Sequence, residues 1–362
     1  MWAVVYAYIF IFSVGLSLAL VPVARRVAIK CGFLSKPHPE KASLERTPLL
    51  GGAAMYVSFA LTILIHWAFL MLFQRASFLE RLVPQQVLHY IPGVVKQSGR
   101  LLSILGGGLL IVVLGLIDDR RDLSPLPKIV GQVVCAVAVA LSGIRITLFI
   151  PGFVPGFLLT VLWIVALVNA FNFLDNMDGL SAGVAVISSL LFFLTAAYTE
   201  QFFVCLVLLA LAGSALGFLR YNFPPASLFM GDAGSMFLGY TLACLTVVAT
   251  FYSKESRTFF PVVLPVVVLA IPLYELITVS VIRWKKGLPI SKPSRDHFSF
   301  RLTNLGMSRR GAVLFIYLLT FCIGIGATQL PKVDMAGVVV VLVQSVTILA
   351  LVALLEHFGK NE

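Results

Sequence analysis

The chain has 362 residues, 59% apolar and 12% charged, with a mean hydropathy of +0.99 and a net charge of +11. A soluble domain carries roughly 25% charged residues, so half that share excludes a cytosolic enzyme, a disordered chain and a disulfide-stapled secreted module. Apolar stretches of about 20 residues recur along the whole length, which is the pattern of one polytopic membrane domain.

In chain order the apolar runs predict eleven helices at 2–23, 51–73, 101–117, 129–141, 157–173, 180–197, 202–219, 235–251, 259–282, 312–330 and 336–355. Backbone groups in hydrocarbon must pair within their own segment, and runs this long do so only as helices. The expected fold is therefore all-α, a helical bundle. The first run lacks a basic flank and a small-residue cleavage site, so it reads as a span and not as a signal peptide. The fourth, with 13 residues, is the shortest. Five scattered cysteines (Cys31, Cys135, Cys205, Cys244 and Cys322) show no CxxC or Cys/His spacing and read as small core residues.

Loop charge sets the expected orientation. With the N-terminus outside, the inner loops and C-terminal tail hold 19 of the 27 Lys and Arg, and the outer segments hold 8. The expectation is N-out, C-in, with a basic inner face suited to anionic headgroups and phosphorylated substrates. No soluble domain is left to present a groove-reading element, so nucleic acid is not an expected partner. The single domain, 1–362, is expected to build its site from loops 24–50, 118–128, 169–180, 220–235 and 283–311. The outer stretch 74–99 receives no role.

The acids are gathered. Of eight aspartates, Asp118, Asp119, Asp122, Asp175, Asp178, Asp232 and Asp296 fall in inner loops or at helix ends that meet them; Asp334 alone lies outside. Two carboxylates about 6 Å apart repel by roughly 3 kcal/mol at an effective dielectric near 20, so such a cluster needs compensating cations. Lys128 and loop arginines supply some and a divalent metal more. The pattern points to a metal–phosphate site.

Four clusters carry it. In Gly115-Leu-Ile-Asp118-Asp119-Arg-Arg-Asp122, adjacent carboxylates project in different directions, which predicts separate tasks; the alternative is a solvated helix end with local acid–base pairs. In Asn169-Ala-Phe-Asn172-Phe-Leu-Asp175-Asn176-Met-Asp178-Gly179, Asn169 and Asp178 would face opposite ways on an ideal helix. Either the helix unwinds or only part of the set converges. These oxygen-rich side chains suit a hard cation and a nucleotide base. Phe229-Met-Gly-Asp232-Ala-Gly-Ser235 leads into a helix whose first-turn N–H groups favour an anion. Asp232 there would repel bare phosphate but bind it through Mg²⁺, and Phe229 offers either packing or a stacking face. The loop 283–311 contains Ser294-Arg295-Asp296-His297-Phe298-Ser299-Phe300-Arg301; its eight basic residues serve either as a membrane anchor or as a diphosphate clamp.

Together these motifs, with Lys36-Pro37 and Thr47-Pro48-Leu-Leu-Gly51-Gly52 before them, resemble the polyprenyl-phosphate N-acetylhexosamine-1-phosphate transferases, the superfamily that includes the phospho-MurNAc-pentapeptide translocases. The resemblance implies an enzyme that transfers a sugar-1-phosphate, most simply GlcNAc-1-phosphate, from a UDP-N-acetylhexosamine to undecaprenyl phosphate and releases UMP. It implies Mg²⁺, with Mn²⁺ as a substitute, a bacterial inner membrane among lipids, a cytoplasmic site, and a homodimer among the allowed assemblies. By the same resemblance Asp118, Asp119 and Lys128 are catalytic, and Asn172 and Asp232 bind the metal. Asp178 and Phe229 match the uracil positions, and Asn169 and Asp175 join the substrate set. Arg295, His297 and Arg301 lie where relatives bind diphosphate and sugar.

Two motifs depart from the family pattern. His297 is followed by Phe298, Ser299 and Phe300 where relatives often carry His-x-His-His, and Lys41 is followed by Ala42 and Ser43 where relatives often carry Lys-x-His. Both loops bear on the choice of sugar. The rival reading from another class is a transporter with an acidic gate, for which Glu275 in the ninth run is the clearest candidate.

Overall fold

The computed structural model describes residues 2–35, 47–75, 91–147, 152–251, 257–289 and 295–358. Lys36, Pro37, Lys41, Ser294 and much of the stretch 74–99 lie outside the described residues. What is described is helical: α1 (Trp2–Lys30), α2 (Gly51–Arg75), α3 (Ile91–Lys96), α4 (Ser98–Arg121), α5 (Pro125–Leu141), α6 (Phe153–Leu174), α7 (Leu180–Tyr198), α8 (Phe202–Asn222) and α9 (Gly231–Val248). A 3₁₀ turn (Phe260–Val263) then leads into α10 (Leu264–Val268), α11 (Ala270–Lys285), α12 (Phe298–Asn304), α13 (Arg309–Ala327) and α14 (Met335–Phe358). A helix occupies each of the eleven predicted runs.

By length and composition nine of these helices can cross a membrane, or ten if the segment from Phe260 to Lys285 counts as one span. The fourth run is the exception in length: α5 has 17 residues. The ninth run is broken, with its two parts meeting at 66°. Pro272 has no N–H to return to the Val268 carbonyl, and its ring crowds that position, so the helix cannot run straight through.

Burial ranks the helices. α9 is buried nearly all round, with Met236, Phe237, Leu238, Tyr240 and Leu242 at 0% exposure, as expected of a helix apolar on every face. It packs against α2, α4 and α6. By contrast α1 and α14 turn Val4, Ile11, Val340 and Val346 outward, apolar surface that only lipid would cover. Small polar residues join the spans: Ser13 and Ser17 of α1 donate to the Ala210 and Ser214 carbonyls of α8 at 2.7 and 2.8 Å.

Two close approaches position the site. A side chain at Gly115 would collide with the backbone of Ala233, so glycine lets α4 lie directly against the start of α9. Gly231 has φ +65°, and a Cβ there would strike the Asp119 carboxylate.

Candidate active site

The C-terminal end of α4, the first turn of α5, the end of α6 and the start of α9 meet at one mouth of the bundle. Pro125 opens α5 with the fixed φ suited to a first turn, which brings Lys128 inward. The Lys128 ammonium lies 2.7 Å from Asp118 Oδ2, 2.5 Å from Asp232 Oδ2 and 3.3 Å from Asn172 Oδ1. Asn172 in turn donates to Asp232 Oδ1 at 2.9 Å and to Ser235 Oγ at 3.0 Å. Four residues from three motifs and a proline-started helix thus share one hydrogen-bonded centre. Asp118 is buried and is held from behind by the Leu123 N–H at 2.8 Å.

The adjacent carboxylates take different partners. Asp118 faces Lys128, while Asp119 turns to the beginning of α9, where Oδ1 accepts from the Asp232 N–H at 2.8 Å and Oδ2 from the Ala233 N–H at 3.3 Å. The anion at this helix N-terminus is therefore the chain's own, and it fixes the backbone that carries Asp232. Neither carboxylate makes an ion pair with Arg120 or Arg121 among the described residues. The helix stops at Arg121, and Asp122 caps it with φ 49°.

The second motif splits, because α6 ends at Leu174 and the chain turns through 175–179. Asn172 reaches the Lys128 centre. Asn169, one turn deeper, donates to Gln132 Oε1 at 2.6 Å. Asp175 caps the helix end. Asp178 points to the loop before α9, where its Oδ2 accepts from the Ala226 N–H at 3.0 Å. Phe229 is buried, and its backbone pairs with Pro48 and Gly51, so the Thr47–Gly52 motif packs directly on the Phe229–Gly231 motif.

The long basic loop forms a second polar cluster. Glu275, fully buried on α11, accepts from Asn176 Nδ2 at 3.0 Å and from the Phe298 N–H at 2.9 Å, and lies 2.6 Å from His297 Nδ1. His297 Nε2 faces an Arg283 guanidinium nitrogen at 3.2 Å. Ser299 donates to Asn176 Oδ1. Arg301 is not brought to the acidic centre: its Nε donates to Glu356 at 2.9 Å, Nη1 to the Asp296 carbonyl at 2.7 Å and Nη2 to Thr278 at 3.1 Å. Arg295 is exposed at the start of this segment.

Sequence reasoning passed over Gln132 and Glu356, and quoted Ser235 and Asn176 within their motifs without giving either a role of its own. Two had a usable signal: Gln132 is four residues from Lys128 and Ser235 three from Asp232, each one helical turn away. Nothing local marks Glu356, 55 residues from the arginine it binds.

The centre offers hard oxygen donors from Asp118, Asp232 and Asn172, with one lysine against two carboxylates. Among the described residues no group of three His, Cys, Asp or Glu side chains could by itself hold a metal ion. That donor set suits Mg²⁺, which binds through one or two carboxylates together with substrate phosphates.

Fold and site together define a polytopic helical membrane protein with a buried acid–lysine–amide centre at one mouth. The match of residues 101–250 to the glycosyl transferase family 4 model covers all of that centre. Relatives extend the match along the chain. A "Probable undecaprenyl-phosphate N-acetylglucosaminyl 1-phosphate transferase" of Bacillus subtilis is 32% identical over 89% of this chain and 84% of its own length. A decaprenyl-phosphate N-acetylglucosaminephosphotransferase of Mycolicibacterium smegmatis is 32% identical over 93% and 88%. A phospho-N-acetylmuramoyl-pentapeptide-transferase of Bacillus thuringiensis is 32% identical over 66% and 72%. The chain belongs to glycosyl transferase family 4.

Proposed function

We propose that this protein transfers N-acetylglucosamine-1-phosphate from a UDP-sugar to a polyprenyl phosphate, undecaprenyl phosphate in a bacterial inner membrane, at the cytoplasmic mouth of the bundle. The names of its relatives support the acceptor and the sugar. One observation supports the chemistry: Lys128 is bonded at once to Asp118, Asp232 and Asn172.

An oxygen of the acceptor phosphate attacks the β-phosphorus of the donor. The bond from that phosphorus to the bridging oxygen breaks, and UMP leaves with the electron pair. Such a reaction needs positioning and charge neutralisation more than covalent chemistry from the protein. Lys128 places a cation where phosphate oxygens enter, and Asp118 orients that lysine. Asp232 and Asn172 would hold Mg²⁺, which when bound neutralises the donor diphosphate. Asp178 and Phe229 border the place for the uracil, Asp175 belongs to the substrate set beside them, and Arg295 and His297 border the place for diphosphate and sugar. The transporter reading is not favoured, since its gate residue Glu275 is bonded on three sides by groups of the chain itself.

The test is release of UMP by purified protein given UDP-GlcNAc, a short prenyl phosphate and Mg²⁺. We expect turnover that stops with chelator and returns with Mg²⁺ or Mn²⁺. Asp232→Asn and Lys128→Met should each lose about 10²–10³ in rate, the scale for removing one electrostatic stabiliser. Near-normal turnover in Asp232→Asn would defeat the assignment, and a phosphorylated enzyme trapped without acceptor would replace direct attack by double displacement.

A further inference from the structure

The mouth opposite the acidic centre contains a second built feature. Arg100 lies eighteen residues before Asp118 on α4, about 27 Å along the axis, and Val247 lies fifteen after Asp232 on α9, about 22 Å. At that far end is a cavity of about 410 Å³ whose lining includes Arg100, Arg145, Ile146, Trp163, Phe251 and Val262. A neighbouring cavity of about 280 Å³ shares Arg100, Val248 and Thr250 with it, so the two form one groove.

Its wall is held in place by hydrogen bonds within the chain. The Ile146 N–H donates to Thr160 Oγ1 at 2.8 Å, and that hydroxyl donates to the Gly156 carbonyl at 2.7 Å. Trp163 Nε1 donates to Thr246 Oγ1 at 2.9 Å. The Gln201 amide clamps Thr250, donating to its carbonyl at 2.6 Å and accepting from its N–H at 2.7 Å. The two guanidiniums are less engaged. Arg145 rests on the Phe153 ring at 4.6 Å, Arg100 donates to Gln97 at 3.0 Å, and neither makes an ion pair among the described residues. Two arginines with donors to spare in a groove whose surface is mainly apolar, at the end of membrane-spanning helices, match a phosphate attached to hydrocarbon. Inorganic phosphate would gain nothing from the apolar wall.

We infer that this groove binds the headgroup of an anionic phospholipid, with the phosphodiester between Arg100 and Arg145 and the acyl chains along the outward-facing Leu158, Leu162 and Val266. The site is separate from the transfer chemistry. Its occupant ties together α4, α6 and α9, the helices that carry Asp118, Asn172 and Asp232 at their other ends, so it stabilises the protein by linkage.

The test is native mass spectrometry and thermal unfolding of the full-length protein in a delipidating detergent, titrated with phosphatidylglycerol, phosphatidylethanolamine, farnesyl phosphate or inorganic phosphate. We expect phosphatidylglycerol to bind and raise Tm, and the Arg100→Gln/Arg145→Gln pair to bind it about tenfold or more weakly, the scale of losing charge-assisted hydrogen bonds. The Lys pair at the same positions should recover much of that binding. UMP release by the variants, in detergent, should match wild type, which also shows that they fold. Equal phosphatidylglycerol binding by the Gln pair overturns the inference. So does displacement of the lipid by inorganic phosphate, or preference of the groove for farnesyl phosphate or phosphatidylethanolamine. Loss of UMP release in the wild-type protein would strike the proposed transfer reaction and leave this site standing.

Discussion

Asp119 sits beside the proposed reacting centre with its carboxylate turned to the chain's own backbone. Both of its oxygens are used by the first N–H groups of α9, and its neighbour Asp118 takes the lysine. In such a place a side-chain cap contributes about 1 kcal/mol, and its larger effect is to hold the Asp232 backbone in position. We expect Asp119→Asn, which keeps one acceptor, to lower kcat while the KM for both substrates stays within a few-fold, and Asp119→Ala to lower Tm as well. Steady-state kinetics beside a thermal melt check this. A large rise in KM at unchanged kcat would place Asp119 on a substrate instead. A trapped phosphoryl group, if one forms, should not map to Asp119.

At the scale of elements, the site depends on how closely α4 approaches α9. Gly115 faces the backbone of Ala233, so Gly115→Val must push the helices apart. Overpacking of this kind costs about 1–3 kcal/mol, and the same displacement moves Asp118 and Asp119 away from their partners. We expect Gly115→Val to lose transfer more severely than its loss of Tm alone explains; wild-type turnover would show that the approach does not matter. Much here was legible from sequence, because helical spans announce themselves by length and the aspartates collect at helix ends. The different directions of Asp118 and Asp119 followed from helix geometry alone. The break near Pro272 was harder, since hydropathy runs smoothly through it, whereas the acids and amides after Leu174 marked the turn there. The destination of Asp178 was not legible, because its partner Ala226 N–H lies on a loop 48 residues away.

Across the whole molecule, the last helix is fastened to the loop that borders the site. Arg301 on α12 is 5% exposed and binds Glu356 near the end of α14, while Tyr274 of α11 donates to the other Glu356 oxygen at 3.0 Å. The sequence pattern groups Arg301 with the phosphate-binding arginines because a basic loop and a family motif give no information about a distant acid. A guanidinium with all three nitrogens engaged and little exposure is held where it stands. Removing one member of such a pair leaves an uncompensated buried charge, which costs about 3–5 kcal/mol, whereas replacing both by apolar residues of similar size is often nearly neutral. Glu356→Ala should therefore lower Tm strongly, and Arg301→Met combined with Glu356→Leu should recover most of the loss. The measurement is thermal unfolding of all three variants in one detergent, with KM for the UDP-sugar alongside. If Arg301 instead grips the diphosphate, the double variant keeps its stability but its KM rises by tenfold or more, the scale of losing a charge-assisted hydrogen bond; if it is the fastening described, KM in that stable variant stays near the wild-type value.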